Sequence, residues 1–490
     1  MRIFRPYGIV KRRPGWSGEV EIISPISATA RYHRYHIETR STEDIAPHPS
    51  RFRVLVKKHK LVQLLLTELI HYRGNRQVVL SRPCVYGVFS GPVGGFAPRD
   101  QLCVGCLRCT TQYPEMVTIS PNPERTKLGD SFLAPDYVDT ILYEARTGRV
   151  PVKGAGYRGK FGGTGWDGMW TDMSEIVRPT RDGIHGREYI STAVDIGEKP
   201  AFLEFDERGT PKSVIPRTLS IPLPMVFDVP SSSAQSQTLF TTLSRAARDL
   251  QTLAIVTLSH VLKYKLHGPE IVPLISPSEH EAWKQLSFTP RMIELSNWDH
   301  ALYEAIRARF PESLICLRLG LDEDVLEYAH RGVRIFHLVA NYHGRGQSGR
   351  FVLELIREVH QALVKEGLRE EVTLLGSGGI AAAEHVPKAI ICGLDAVALD
   401  MPLLVALQAT LEGECVDAKT SGIRLPKGFN ADWGMQRLKN LMASWRDQLL
   451  EVLGAMGLRE VRRLRGEIGR AMFQSDLERE AFAGIEGFRE

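Results

Sequence analysis

The chain has 490 residues, 43% hydrophobic and 24% charged, which places it among ordinary globular proteins and excludes a disordered, collagen-like or coiled-coil polymer. That length suggests about three domains, fewer if an α/β barrel takes roughly 250 residues for itself. With 62 Lys+Arg against 57 Asp+Glu the formal charge of +5 is small and scattered, which argues against a nucleic-acid stripe, and no run of about 18 apolar residues is present to span a membrane.

From Arg2 to Pro47 the chain is polar, basic and punctuated by Pro and Gly, apart from an apolar patch at Val20–Ile26, and reads as an arm lying on something larger. Its start lacks the apolar core and cleavage site of an export signal, so the cytoplasm is the expected compartment. Leu61, Leu64, Leu65, Leu69 and Tyr72 recur at helical spacing and predict an amphipathic helix from Lys57 to Tyr72, ended by Gly74. Gln77–Leu80 then predicts a short strand.

Four of the seven cysteines follow within one window, whereas Cys316, Cys392 and Cys415 stand alone and read as ordinary thiols. An odd, clustered count speaks against a secreted disulfide framework. Cys103, Cys106 and Cys109 have C-x2-C-x2-C spacing, which wraps a turn tightly enough for three thiolates to meet three irons of one cubane, with Gly105 letting the backbone approach. A ferredoxin motif would continue with x3-C-P, but position 113 is Tyr before Pro114. Cys84, next to Pro83, is the expected fourth ligand: a [4Fe–4S] centre follows if it ligates and a [3Fe–4S] centre if it does not. The window looks like half of a two-cluster ferredoxin. A zinc knuckle or plain buried thiols are the alternatives, although four-thiolate zinc sites usually use two separated C-x2-C pairs.

Pro135–Arg146 predicts a second short helix, closed by Gly148. The seven glycines of Lys153–Gly168 suit neither helix nor paired strand, so a boundary is placed there. Between Met173 and Ser191, Arg178, Arg181, Asp182, His185, Arg187 and Glu188 crowd together, as at a site or a domain seam. Beyond it, β-branched apolar runs alternate with helical periodicity. The runs are Ala254–Leu258, Ile271–Ile275, Met292–Leu295, Leu314–Leu319, Ile335–Val339, Val372–Leu375 and Ala396–Leu399, with one more expected among Phe202–Phe227. Helical patterns fall at Leu243–Gln251, Trp298–Phe310, Val325–His330, Phe351–Gly367 and Ala383–Cys392. Short connections between alternating strands and helices mean a parallel sheet covered by helices; eight repeats make an α/β fold of the (β/α)8 TIM-barrel kind, with a doubly wound sheet as runner-up.

Three features of these repeats could carry chemistry. Arg318 is a cation on an apolar strand and must face a carboxylate, a phosphate or water. After the next run, Asn341-Tyr342-His343-Gly344-Arg345-Gly346-Gln347 lies where barrel active sites are built; His343 and Arg345 could hold an anion there, or the loop is simply solvated. After the seventh run, Gly376, Ser377, Gly378 and Gly379 lead into a helix, a recurrent phosphate position in barrels, and otherwise a tight turn. From Trp433 the apolar stripe Leu438, Leu441, Met442, Trp445 and Leu449 predicts a helical tail with a solvated, Arg-rich end.

With these motifs in view, residues 173–472 resemble the FMN-binding domain of glutamate synthase: in the Gly376–Ile380 turn, in the helix and Gly393-Leu-Asp-Ala396 run after it, in Arg437-Leu-Lys-Asn-Leu441 and in Glu175-Ile-Val-Arg178. With the cysteine window upstream, the whole resembles the ferredoxin-fused, archaeal-type members of that family. The resemblance implies an arm with a helix over 1–75, a ferredoxin-like iron–sulfur segment over 76–150, an FMN-type barrel over 151–430 and a helical extension over 431–490. It implies an oxidoreductase that passes electrons between a [4Fe–4S] centre and FMN and acts on a small anionic, 2-oxo or amino acid-like substrate. Ferredoxin or a redox subunit would be its partner, with no nucleic acid or membrane involved and an oligomer left open. Arg318, His343 and Arg345 would be the catalytic residues; Gly376, Ser377, Gly378, Gly379, Gly344, Gly346 and His185 would line the cofactor.

Some positions depart from the family pattern. The flavin loop reads Gly183-Ile-His-Gly-Arg187, the substrate-facing Lys is Arg318, the cysteine-rich cluster loop keeps only Cys415, and the second phosphate loop carries Asp400. These departures leave room for a subunit of another class, a relay or assembly scaffold without flavin chemistry, and for an FMN-free phosphate-binding barrel enzyme.

Overall fold

Eight short apolar runs form the centre of the molecule because parallel strands covered on both faces have no water-facing side to tolerate polar residues. They are Met225–Phe227 (β1), Ala254–Thr257 (β2), Ile271–Ile275 (β3), Met292–Leu295 (β4), Leu314–Gly320 (β5), Ile335–Val339 (β6), Thr373–Ser377 (β7) and Ala396–Leu399 (β8). Each pairs in parallel with its sequence neighbour, and β8 returns to β1 through Val397 opposite Met225. Closure in sequential order makes this a (β/α)8 barrel and excludes the doubly wound sheet. The eighth expected strand is the three-residue β1, which touches β2 only through Phe227 opposite Ala254. The computed structural model describes residues 35–80, 84–151, 163–171, 189–199, 204–210, 212, 217–279 and 281–487.

Among the helices, Lys58–His71 (α1) and Pro135–Thr147 (α2) precede the barrel. Val352–Lys365 (α3), His385–Cys392 (α4) and Met401–Ala406 (α5) follow β6, β7 and β8, and Ala431–Ala455 (α6) forms the tail. The segment Gln77–Leu80 is not a strand. It lies in a helical turn, Arg76–Leu80, because Asn75 closes the turn: its carbonyl accepts from the Val79 amide at 3.2 Å and its side chain from the Val78 amide at 3.4 Å. A cap of this kind outweighs the β preference of two valines.

The cysteine window has a small core of its own. Phe52–Val56 pairs antiparallel with Val117–Pro121, and α1 packs over them to bury Val54, Leu61, Val88, Cys103, Met116 and Val117. Six buried side chains are few, and cores of this size ordinarily need a disulfide or a metal to hold them. Helix α2 instead joins the tail helix: Trp445 Nε1 donates to Glu144 Oε2 at 2.9 Å, and Asn440 Nδ2 donates to the Ala145 carbonyl at 2.9 Å.

The tail's arginines are not all solvated. Arg437 is fully buried, donates to the Ala406 carbonyl at 2.6 Å and pairs with Asp44 at 2.8 Å, which fixes the end of the arm to α6. Arg465 reaches Asp395, just ahead of β8, at 3.0 Å, beside Arg369 at 2.9 Å. These cations hold the buried Asp395 carboxyl well below the usual range. Its position at the N-terminal end of the barrel strands makes this a stability feature rather than a reactive one. Among the described residues no helix is long and apolar enough to cross a membrane.

Candidate functional site

Two places gather chemically capable side chains. In the first, Cys84, Cys103, Cys106 and Cys109 line one pocket with Val54, Tyr86, Val88, Phe89, Val104, Gly105 and Ile119. Cys103 is buried, Cys84 and Cys109 are half-buried, and Cys106 is exposed. Burial pushes the Cys103 thiol up, the other three sulfurs add to the rise, and the Gly105 amide opposes it. Four sulfurs that feel one another inside an apolar wall, with no disulfide among them, suit a soft cation or a cluster of them. The loop depends on Gly105: its φ is +71°, and a Cβ there would lie 2.4 Å from Cζ of Phe52.

The second place is the C-terminal end of the barrel strands. Arg318 on β5 stands opposite His337 on β6, with Glu294 on β4 and Asp228 just past β1. Its Nη1 and Nη2 donate to Asp228 Oδ1 and Oδ2 at 2.8 and 2.9 Å, and Nη1 also donates to Glu294 Oε1 at 2.8 Å. His337 Nδ1 lies 3.0 Å from the same Glu294 oxygen. Glu294 and His337 are completely buried, while the Arg318 side chain keeps 19% exposure. Although burial alone would raise them, Arg318 and His337 hold the Asp228 and Glu294 carboxyls below the ordinary range, and the two carboxylates push the guanidinium up. One guanidinium faces two carboxylates, so even with His337 protonated the cluster has no surplus positive charge.

Above this cluster, the loops after β6 and β7 meet backbone to backbone. Gly379 has a φ of +72°, and a Cβ on it would lie 2.5 Å from the Cα of Gly344. The Gly379 carbonyl accepts from Trp166 Nε1 at 2.7 Å, while Gly376 lies inside β7 against Leu394. Ser377 and Tyr342 are buried, and their hydroxyls have no hydrogen-bond partner among the described residues. Buried orphan hydroxyls cost stability unless something fills the space beside them, so they mark where a polar ligand would sit.

Asp400 follows β8 and accepts from the Met401 amide at 2.5 Å, capping α5. Burial, with Asp228 nearby, pushes its carboxyl up to about 7. The folded state therefore keeps a proton that the unfolded chain gives up near its ordinary 3.8, so Asp400 costs stability progressively as pH rises from 4 to 7. Asp400→Asn, which keeps the capping oxygen, is expected to raise stability at pH 8 by on the order of 2 kcal/mol and to change little at pH 4. Urea unfolding at the two pH values measures this; equal effects at both would show that Asp400 is ionised in the fold.

Comparison with known proteins bears on both places. Residues 340–459 match the conserved region in glutamate synthase. The archaeal-type glutamate synthase (NADPH) of Dehalococcoides mccartyi is 26% identical over 444 residues, covering 75% of this chain and 86% of its own. The archaeal glutamate synthase (NADPH) of Archaeoglobus fulgidus is 27% identical over 470 residues, covering 79% and 90%. Over most of its length the chain is similar to glutamate synthases. A flavocytochrome b2 mutant with pyruvate bound covers 61% of this chain and 77% of its own at 14% identity, with a TM-score of 0.37, too loose a likeness to argue chemistry from.

In this glutamate synthase-like chain the residues singled out from sequence fall into separate groups. The four cysteines share one pocket. Ser377, Gly378 and Gly379 end β7 beside Gly344. Arg318 is engaged by carboxylates below them. His343 turns to Asp130, with Nε2 3.1 Å from Oδ2, and the exposed Arg345 closes its own loop on the Gly349 carbonyl at 2.7 Å. Gly346 lies beside Asp322. His185 lies outside the described residues. Sequence reasoning passed over Asp228, Glu294, His337 and Tyr342, yet the signal that exposed Arg318, a polar residue within an apolar strand, was equally present in Met292–Leu295 and Ile335–Val339.

Proposed function

We propose that the chain is an FMN-dependent oxidoreductase of the glutamate-synthase type, in which a [4Fe–4S] centre held by Cys84, Cys103, Cys106 and Cys109 passes electrons to or from FMN at the C-terminal face of the barrel. The observation that carries this reading is the convergence of four sulfurs on one apolar pocket in a chain whose relatives are named glutamate synthases. The barrel end fits a phosphate-bearing cofactor: Ser377 offers an unpaired buried hydroxyl, and Gly378 and Gly379 let the loop after β7 lie directly against the backbone of the loop after β6, ahead of helix α4. When bound, FMN supplies the exchange between one-electron and two-electron chemistry. Ser377, Gly378 and Gly379 would hold its phosphate. A protonated Asp400 avoids repulsion there.

Arg318 acts in this reading by holding Asp228 and Glu294 in place. Because their cluster has no surplus cation, it suits the amino or carbonyl end of a small 2-oxo or amino acid-like substrate better than its carboxylate. Ferredoxin or a redox subunit is the proposed partner, meeting the cluster on the side of the exposed Cys106. A second reading, a relay or assembly subunit without flavin chemistry, is favoured by one observation, that Arg318 is already occupied by the chain's own carboxylates.

The visible spectrum of anaerobically purified protein separates the two. Resolved flavin bands above a broad sulfur-to-iron shoulder are the expected result. The shoulder alone would give the relay reading, and colourless protein with bound zinc would overturn both.

A further inference from the structure

A third group of ligating side chains borders the barrel-end loops, where His343 lies between Tyr342 and Gly344. Asp130, from the loop ahead of α2, has a carboxylate only 1% exposed. Its Oδ1 accepts from the Phe132 and Leu133 amides at 3.0 and 2.6 Å, and its Oδ2 accepts from the Cys415 amide at 3.2 Å. Three backbone donors fix its direction before any ligand arrives. His343, from the loop after β6, places Nε2 3.1 Å from that Oδ2, and its ring is stacked on Phe132 with centroids 5.6 Å apart. Glu414 brings Oε2 to 3.8 Å from the same nitrogen and is itself held by the Ser131 hydroxyl at 2.6 Å.

We propose that Asp130, His343 and Glu414 bind one Zn2+ ion, with water as the fourth ligand. Zinc takes nitrogen and carboxylate oxygen at about 2.0 to 2.2 Å in a tetrahedron, whose donor atoms then stand roughly 3.3 Å apart. The separations of 3.1 and 3.8 Å bracket that edge, and all three donor atoms lie within 4.8 Å of one another. The imidazole argues against calcium and magnesium, which prefer all-oxygen shells of six or more, and a small mixed nitrogen and oxygen set completed by water suits tetrahedral zinc. On binding, zinc takes the place of the Nε2 proton, which leaves to water. The ion ties three segments that are distant in sequence, and one of them leads directly from the cysteine core to α2. Its role is that of a staple fastening that stretch to the mouth of the barrel.

The full chain, freed of loosely held metal by brief chelation, would be titrated with zinc chloride. One equivalent is expected to bind with nitrogen and oxygen neighbours at about 2.0 Å in its X-ray absorption, whereas zinc in the cysteine pocket would show sulfur at about 2.3 Å. The melting temperature is expected to rise with that equivalent. H343A and E414Q should each lose both the equivalent and the rise. Glu414 is exposed, so E414Q is the variant least able to disturb folding. Zinc seen only with sulfur neighbours, no zinc at all, or an unchanged nitrogen and oxygen site in E414Q would overturn the assignment and leave His343 and Asp130 as a plain hydrogen bond.

Discussion

Replacing Cys103 by serine is expected to strip the chain of iron. Cys103 is the most deeply buried of the four cysteines, packed in the small core with Val54, Leu61, Val88, Met116 and Val117. Serine both removes a soft ligand and puts a hydroxyl where no water can reach it, costing about 1 to 3 kcal/mol even before the loss of metal. Iron and acid-labile sulfide should fall at least tenfold, the broad visible shoulder should vanish, and proteases should cut between Cys84 and Tyr113 while the barrel survives. Cys392→Ser is the control: that thiol is buried against Met169 beside α4, and iron content should stay the same. Full iron in the Cys103 variant would remove the pocket as a cluster site. Gly105→Ala tests the same loop without touching a ligand, since the new methyl would strike Phe52. Adding Phe52→Leu should recover part of the loss, because it relieves the contact but not the left-handed backbone.

Arg318→Ala is the other large effect. It leaves Asp228 and Glu294, 4% and 0% exposed, without their cation, and breaking a buried pair from one side costs about 3 to 5 kcal/mol. That is a large share of the 5 to 15 kcal/mol typical of a whole domain. The pH dependence reveals the cause. In the parent chain both carboxyls are held below their ordinary 3.8 and 4.5, so their contribution is present above about pH 4.5 and is lost as pH falls through the lower folded values. In the variant burial dominates and the carboxyls hold their protons, so its stability declines as pH rises from about 4 toward 7. The gap between parent and variant in urea unfolding should therefore be wider at pH 7.5 than at pH 4.5. A gap independent of pH would mean that lost packing, not lost charge, explains the cost. Arg318→Lys should fall between the two, since an ammonium cannot meet both Asp228 oxygens and Glu294 as the fork does.

The barrel was legible because buried parallel strands are written as short, mostly apolar runs; seven of the eight could be marked to within two residues. Strand β1 could be placed only within Phe202–Phe227, because three residues give no periodicity and its position is set by the ring closing around it. The three valine and leucine positions after Gln77 misled for a related reason: a short apolar run looks the same in a strand and in a helical turn, and Asn75 decided between them. At the sites, residue type was legible and direction was not. Spacing brought Cys103, Cys106 and Cys109 together, but that Cys84 shares their pocket depends on Phe52–Val56 and Val117–Pro121 closing around it. Arg318 was visible as a cation among apolar neighbours, while the two carboxylates that engage it come from two other strand ends. His343 points to a loop more than two hundred residues earlier, which no local pattern could announce.

The ion pair between Arg437 and Asp44 joins positions 393 residues apart. Neither partner can find the other until nearly the whole chain has been made. At the usual 5 to 20 residues per second, roughly 20 to 80 seconds pass between their emergence from the ribosome. The barrel strands pair with sequence neighbours and can associate as they appear, but the arm must wait for the tail helix, and α2 waits with it for Trp445 and Asn440. The cysteine core, which lies between arm and α2 in sequence, is thus complete long before the tail contacts that fasten its two flanks.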